Sequence, residues 1–528
     1  MSIKNKKKII RDFNNHNQNF FKKKINKTSK IFLIEFNGWS IIHIIFSYLV
    51  NFYRNKKNCT IVAYECYDLL NSVSMPWYKK YLWNIGIFLN LKTFKIFKSF
   101  GTDKFIKPTF TYNQKYQAKK ITNLFFRKKL SLKNLENFKL KGVWIGDLIY
   151  DSFLKKNQLN TIDMKSLKFK AFFYECIKLF NFWLNYFEKN NIEAIAGCHA
   201  VYLTGIPLRI ANKKNINCFA VSGFNCDLVN LKGNISFNKK LNGSDIQFKF
   251  YKKIITKLST EHRNRLIPQG KKIIKKIITG KQKYFYMQKS SFLNKNYKIK
   301  NTINNRTKVV IFAHDFSDSP HIYGNHFFPD FQEWFNFLNK IIKKTDYDWY
   351  IKDHPASRPL TRLKINELLK NNKNIMFLKK DFPNSKLKNL GINFVLTVYG
   401  TVASELSFYG IKVISASKNH PHSDFNFSIN PKNQKEYEKI LLSLKNNKFK
   451  IHKNDIYRFH YVKELLSKMH IFFKNHNRYF GNINEKPLRF TPLVYKYWLE
   501  DFNLERHYKI LDNLENFINK EEYLYFEH

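Results

Sequence analysis

The sequence predicts an α/β protein assembled from two α/β domains in series. Three observations carry that expectation. Short β-branched or aromatic runs alternate with longer segments of helical period, the signature of parallel strands joined by crossover helices. The alternation occurs twice, on either side of a Lys- and Asn-rich stretch. The loops that follow four strands of the second series are dense in Gly, His, Asp and Ser. At 528 residues the chain is too long for one small domain, and 44% hydrophobic with 17% aromatic residues suffices for sizeable cores.

Taken in order, residues 1–30 read as a basic leader with the runs Lys6-Lys7-Lys8 and Lys22-Lys23-Lys24. Ile31–Phe36 reads as the first strand, Ser40–Tyr53 as its helix and Thr60–Cys66 as the second strand. A helix over 167–190 then leads into the strand Glu193–Cys198, the helix Val201–Lys213 and the strand Asn217–Ser222. Residues 31–235 form one domain on this reading. The junction, 236–307, holds a helix near Gln269–Thr279 with Ile273, Ile274, Ile277 and Ile278 on one face. Lys271, Lys272, Lys275 and Lys276 occupy the other face. A linker helix docking its apolar stripe on the body is favoured over membrane contact. The second series supplies strands at Val309–His314, Asp348–Asp353, Asn374–Leu378, Phe394–Val398 and Lys412–Ala416. Helices near Asp330–Lys344, Arg358–Lys370 and Val402–Tyr409 separate them, a Rossmann-like domain over 308–432. Residues 433–528 are expected to be helical, and 499–528 carry eight acids against three bases, a tail suited to pack across the basic body.

The net charge of +54, from 93 Lys+Arg against 39 Asp+Glu, admits nucleic acid, anionic membrane or anionic substrates. Lys, Asn, Ile and Phe are over-used together, as an A/T-rich coding sequence dictates, so the charge alone selects none of these. Nucleic acid is disfavoured because the aromatics follow core periods and no basic recognition motif appears. Six scattered cysteines without a CxxC pair argue against a disulfide framework or a zinc ribbon, and fit a reducing cytosol. The first thirty residues lack the apolar core of a signal peptide. The most apolar stretch, Trp39–Phe52, is shorter than the ~20 residues that span a bilayer.

In open α/β sheets, ligands bind beyond the carboxyl ends of the strands. In the second series those ends read His314-Asp315-Phe316-Ser317-Asp318-Ser319-Pro320-His321, Asp353-His354-Pro355, Tyr399-Gly400-Thr401-Val402-Ala403-Ser404-Glu405 and Ser417-Lys418-Asn419-His420-Pro421-His422. A glycine after a strand permits a tight turn, Thr401 is placed to cap the next helix, and the freed amides offer a phosphate seat. Glu405, one turn in, would face a ribose hydroxyl. Alternatively, Gly400-Thr401 is an ordinary helix start and Glu405 completes a capping box. Lys352 and Arg358 flank His354, making that loop electropositive. A protonated imidazole there would neutralise leaving-group charge or give up a proton.

The segments Ile351-Lys352-Asp353-His354-Pro355 and Gly400–Ile414 resemble the C-terminal half of capsular-polysaccharide glycosyltransferases of the GT-B class, among them the Kdo transferases and the bacterial sialyl- and polysialyltransferases. The likeness extends to His314–Gly324 with Phe327-Phe328-Pro329-Asp330 and Trp334, which is similar to a stretch in surface-carbohydrate biosynthesis proteins. It covers 308–432 well and the N-terminal half less specifically, through Ile145–Asp151 and Cys198–Tyr202 with Arg209. The resemblance implies two facing Rossmann-like domains with C-terminal crossing helices, and a nucleotide-sugar donor, CMP-sugar favoured, held in the second domain. It further implies a polysaccharide or glycolipid acceptor at the first domain, with no metal and no cofactor. Carried onto this chain, it makes His354, His199, Asp147 and Asp315 catalytic candidates. Lys352, Arg358, Gly400, Thr401, Ser404, Glu405, Asp318 and His420 become donor-binding candidates. If the reaction inverts, the base belongs in the N-terminal half, where His199 opens a helix after a strand and Asp147 and Asp151 are rivals. The expected location is cytoplasmic, with an anionic membrane surface as a possible partner. A UDP-N-acetylglucosamine 2-epimerase-like enzyme and a glycerophosphate polymerase are the alternatives, and a basic nucleic-acid-binding protein is the non-enzymatic one.

Overall fold

The computed structural model describes all residues except 1, 22–28, 66–76, 128–129, 199, 222–227, 232–250, 282–304, 356, 373, 469–471, 474–477, 480–487 and 521–528. The Lys22–Lys24 run, Cys66, His199 and most of the junction therefore lie outside the described residues. The chain divides into two compact units: residues 1–156, 163–244 and 466–528 make the first, and 157–162 with 245–465 the second.

The first unit is built on six strands: β1 (Lys30–Phe36), β2 (Thr60–Glu65), β3 (Lys104–Ile106), β6 (Asn191–Gly197), β7 (Asn217–Val221) and β8 (Leu228–Asn230). A two-stranded hairpin of β4 (Lys139–Leu140) and β5 (Val143–Trp144) stands apart. The order is β3-β2-β1-β6-β7-β8, parallel throughout except that β8 runs against β7. Strand β1 is buried on both faces, at Phe32, Leu33 and Ile34, so it reads as a continuous apolar run rather than an alternation. The helix Ser40–Asn55 is buried along almost its whole length, from Ser40 to Tyr53. Its apolar sequence reflects a helix at the centre of a core, covered by the C-terminal helices Leu493–Asp501 and Leu504–Asn519.

Residues 1–30 differ from the expected leader. Ile3–Phe20 is a helix whose Phe13 is fully buried and stacks on Tyr495, ring centroids 4.1 Å apart. Its lysines face solvent while its apolar stripe closes the core, so the segment is part of the domain. The acidic C-terminal stretch returns to the same unit, where Glu515 pairs with Lys56 at 3.1 Å and Asp501 with Arg478 at 2.6 Å.

The second unit carries β9 (Lys308–Phe312), β10 (Asp348–Lys352), β11 (Met376–Leu378), β12 (Phe394–Thr397) and β13 (Lys412–Ser415), in the order β11-β10-β9-β12-β13 and all parallel. Because all five strands are parallel their carboxyl ends share one edge, and where the order reverses between β9 and β12 the connections diverge. The junction helix runs over Thr260–Ile278, longer than its period suggested and containing Pro268. Ile273, Ile274 and Ile277 are buried while Lys271, Lys272, Lys275 and Lys276 are exposed, and Gly270 lies against the backbone of Tyr457. The apolar stripe is therefore docked on the body. Among the described residues no helix is long and apolar enough to cross a membrane.

Candidate functional site

The loops leaving β9, β10 and β12 are tied to one another by side chains. His314, the second residue beyond β9, reaches across the strand-order reversal: its Nε2 accepts the Val398 amide at 3.1 Å and lies 3.1 Å from the Thr397 hydroxyl. The same hydroxyl accepts the Gly400 amide at 3.0 Å. Glycine is needed there for space, because a Cβ would stand 2.6 Å from Thr397 Oγ1. His314 stacks on Phe331, centroids 4.6 Å apart and nearly coplanar. Burial, with the neighbouring His354, pushes its pKa down to about 3, and with Nε2 accepting, its proton sits on Nδ1.

The β9 and β10 loops are joined by Arg358, whose Nε meets Asp315 at 3.0 Å and whose Nη1 donates to Ser317 at 2.9 Å and to Gln158. Asp315 also accepts from the Ser317 amide and is buried. It is thus a brace for Arg358, and the expected catalytic part for it does not fit its geometry. Two of the three guanidinium nitrogens of Arg358 are thus engaged within the protein rather than free for a phosphate.

His354 is half-buried between these loops. Its pKa is lowered, first by burial, with Lys352 adding to the effect and Asp315, Asp353 and Asp318 opposing it. The imidazole is neutral at neutral pH. This corrects the expectation of a standing cation: His354 offers a ring N–H and a ring nitrogen lone pair. Asp353, immediately before it, is buried and anchored to Arg362 at 3.1 Å.

Beneath this surface lies a buried polar network that separates Lys352 and Glu405 from any ligand. Lys352 Nζ donates to Asn384 Oδ1 at 2.6 Å, and Asn384 Nδ2 donates to Glu405 Oε2 at 3.3 Å. Lys352 is 3% exposed and Glu405 5%. Neither reaches a phosphate or a ribose, contrary to expectation, because both side chains turn inward to Asn384. Burial raises the Glu405 pKa, and it lowers that of Lys352 to about 8 against the pull of Glu405 and Asp381. Between pH 8 and the ordinary lysine value of ~10.4, Lys352 is neutral in the folded chain and protonated in the unfolded one. The unfolded state binds more protons there, so this residue's contribution to stability rises with pH across that window. Urea unfolding at pH 7.5 and 10.5 should show wild type gaining on Lys352→Met by about 2–3 kcal/mol; an equal difference at both pH values contradicts the assignment.

Thr401 precedes the helix Val402–Phe408 but has helical φ and ψ of −61° and −21°, and its hydroxyl makes no capping bond. The expected cap is absent because the Ala403 and Ser404 amides already bond the Gly400 and Thr401 carbonyls. Ser404 is buried and donates to the Thr401 carbonyl at 3.1 Å. His420 is fully buried, its ring 4.1 Å from that of His422, so it is a core residue and no donor contact. At this edge Asp318 is exposed, and His314, His354, Arg358, Tyr399, Gly400 and Thr401 are partly exposed. Of these, His314 and Tyr399 had no assigned role in the sequence reading; a histidine two residues past one strand and a threonine ending the strand beside it is the signal that was there to be read.

In the first unit, Asp147 is held by Arg209 in a bidentate pair, 2.5 and 2.6 Å, with both side chains 1% exposed and Arg209 stacked over Trp144 at 4.5 Å. Both carboxylate oxygens are occupied, which removes Asp147 as a base; Asp151 is buried too. His199 is not among the described residues, but its neighbour is anchored. Glu35, next to last in β1, accepts the Cys198 amide at 2.9 Å and its thiol at 2.5 Å. The loop that follows holds Tyr202 at φ 56° and ψ −168°, a backbone shape that costs about 1–3 kcal/mol for a side-chain-bearing residue. Glu35 and this strain were not foreseen.

The chain is thus a mixed α/β protein of two units, each with a largely parallel sheet of Rossmann-like order. No family model matches it and no curated protein does. Solved structures similar to it include the β-Kdo 2,4-transferase KpsC of Thermosulfurimonas dismutans, 12% identical, covering 51% of this chain and 79% of that one with a TM-score of 0.31. MnaA of S. aureus with UDP is 9% identical over 84% of this chain and 95% of that one, TM-score 0.28. The UDP-GlcNAc 2-epimerase of Methanocaldococcus jannaschii in complex with UDP-GlcNAc and UDP is 12% identical over 83% and 99%, TM-score 0.26. At these values none of them bears on what this chain does.

Proposed function

We propose that the protein is a glycosyltransferase that takes a nucleotide sugar, with CMP-sugar favoured, at the carboxyl edge of the second sheet and moves the sugar to a surface-polysaccharide or glycolipid acceptor. The observation that carries the reading is the convergence of three loops, from β9, β10 and β12, on the strand-order reversal, where a neutral His354 stands beside His314 and the Gly400-Thr401 turn. In the transfer, the bond from the anomeric carbon to the phosphate oxygen breaks and the nucleotide leaves with the electron pair. The acceptor oxygen bonds the anomeric carbon and passes its proton to a general base, for which His199 is the candidate the sequence offers. His354 supplies a ring N–H to the departing phosphate, and Arg358, steadied by Asp315, supplies the remaining positive field. The Lys352–Asn384–Glu405 network holds the floor under both loops. The acceptor side is assigned to the end of β6, where Glu35 fixes the residue before His199.

The test is a thermal-shift screen of CMP, UDP and CDP with their sugars, followed by assay of free nucleotide release. Binding to the folded state alone raises the unfolding midpoint with ligand concentration. One nucleotide class should do so and be released on turnover. Interconversion of the sugar with the nucleotide still attached would replace transfer by epimerisation, and no shift with any nucleotide would end the reading.

A further inference from the structure

Among the described residues, the helix Trp77–Phe88 packs on the protein through Trp83 and Gly86. Trp83 is buried against Phe36 and Phe94, with centroids 5.0 and 5.1 Å away, and Gly86 lies so close to Phe94 that a Cβ there would stand 2.4 Å from the ring. The rest of its described surface is largely apolar. Tyr81, Leu82, Ile85, Phe88, Leu89 and Leu91 are exposed, from 44% for Ile85 to 86% for Phe88. Six large apolar side chains exposed within eleven residues are a concentration of the kind that marks an interaction surface. Its chemistry names the partner. Residues 77–102 contain Lys79, Lys80, Lys92, Lys95 and Lys98 and no Asp or Glu, and Lys92 and Lys95 are exposed. A second copy meeting this face would set lysine against lysine with no carboxylate between them, a self-repelling contact in a two-fold arrangement. An anionic lipid surface satisfies both halves: acyl chains take the aromatic and aliphatic side chains while phosphate headgroups take the lysines.

We propose that Trp77–Phe88 and the turn after it are a monotopic docking element that seats the first unit on an anionic bilayer. The apolar face enters the headgroup boundary, and the flanking lysines set the lipid preference. This site differs from the two basic segments that composition suggested, since the N-terminal helix and the junction helix both bury their apolar stripes in the protein. It stands independently of the transfer reading, because vesicle binding is measured without turnover.

Full-length protein should co-sediment with vesicles of phosphatidylcholine containing about 30% phosphatidylglycerol, and far less with phosphatidylcholine alone. Ile85→Glu/Phe88→Glu, which alters only exposed positions, should weaken that binding at least about tenfold with an unchanged circular-dichroism spectrum. For wild type, vesicles should slow amide hydrogen exchange in the peptide 81–95, a readout that needs no variant. The proposal is overturned if wild type ignores anionic vesicles, if exchange at 81–95 is unaltered, or if the folded double variant binds as wild type does. It is overturned equally if the double variant dissolves a dimer, or if an acidic protein rather than lipid is released by it.

Discussion

Arg209→Ala is expected to lower the folding stability by about 3–5 kcal/mol, the cost of stranding a buried carboxylate. Asp147 and Arg209 are both 1% exposed and exchange two charge-assisted hydrogen bonds, while the guanidinium also donates to the Trp144 carbonyl at 2.8 Å and covers the Trp144 ring. Removing the cation leaves Asp147 without its partner in a medium that solvates it poorly, and a cavity over the indole. Arg209→Met combined with Asp147→Leu should recover most of the loss, since an apolar pair of similar volume needs no desolvation. Urea unfolding of the three variants decides the matter. A loss below about 1 kcal/mol for Arg209→Ala would show that Asp147 is hydrated or protonated, and would return it to consideration as a base.

His354→Ala is expected to lower transfer by about 10²–10⁴-fold while leaving the fold intact. The side chain is half-buried at the surface of the loop after β10, and the structure around it is fixed by other bonds: Asp353 to Arg362, Arg358 to Asp315 and His314 to Val398. A stability change under about 1 kcal/mol accordingly accompanies the loss of activity. Turnover within threefold of wild type would remove His354 from the chemistry. Glu405→Ala is expected to act differently from the loss of a ribose contact. With Glu405 turned to Asn384 and Lys352, its removal unsettles the core beneath the loops, so its effect on activity arrives through stability.

The strands of the second sheet were legible because parallel strands buried on both faces are near-continuous runs of Val, Ile and Phe, and their carboxyl ends could be marked from the polar residues that interrupt them. Val309–His314 was expected and Lys308–Phe312 is found; Phe394–Val398 was expected and Phe394–Thr397 is found. The stretch 100–165 was least legible, since it contains a three-residue strand and a hairpin of two-residue strands, too short to show a period. Among the site residues, placement at strand ends was readable for His354, Gly400 and Thr401. The inward turn of Lys352 and Glu405 was not, because their shared partner, Asn384, sits in an unremarkable loop. The helix Trp77–Phe88 misleads in the other direction: its composition is that of a core helix, and only the placement of Trp83 and Gly86 shows which face is covered.

What the sequence determined by itself is the series of strands and helices and the edge at which chemistry is possible, because hydrophobic period and strand-end polarity are local properties of the chain. Tertiary structure alone decided which polar residues at that edge meet solvent and which satisfy one another. Pairing and burial depend on atoms brought together from distant segments, as His314 is with Val398 and Lys352 with Asn384.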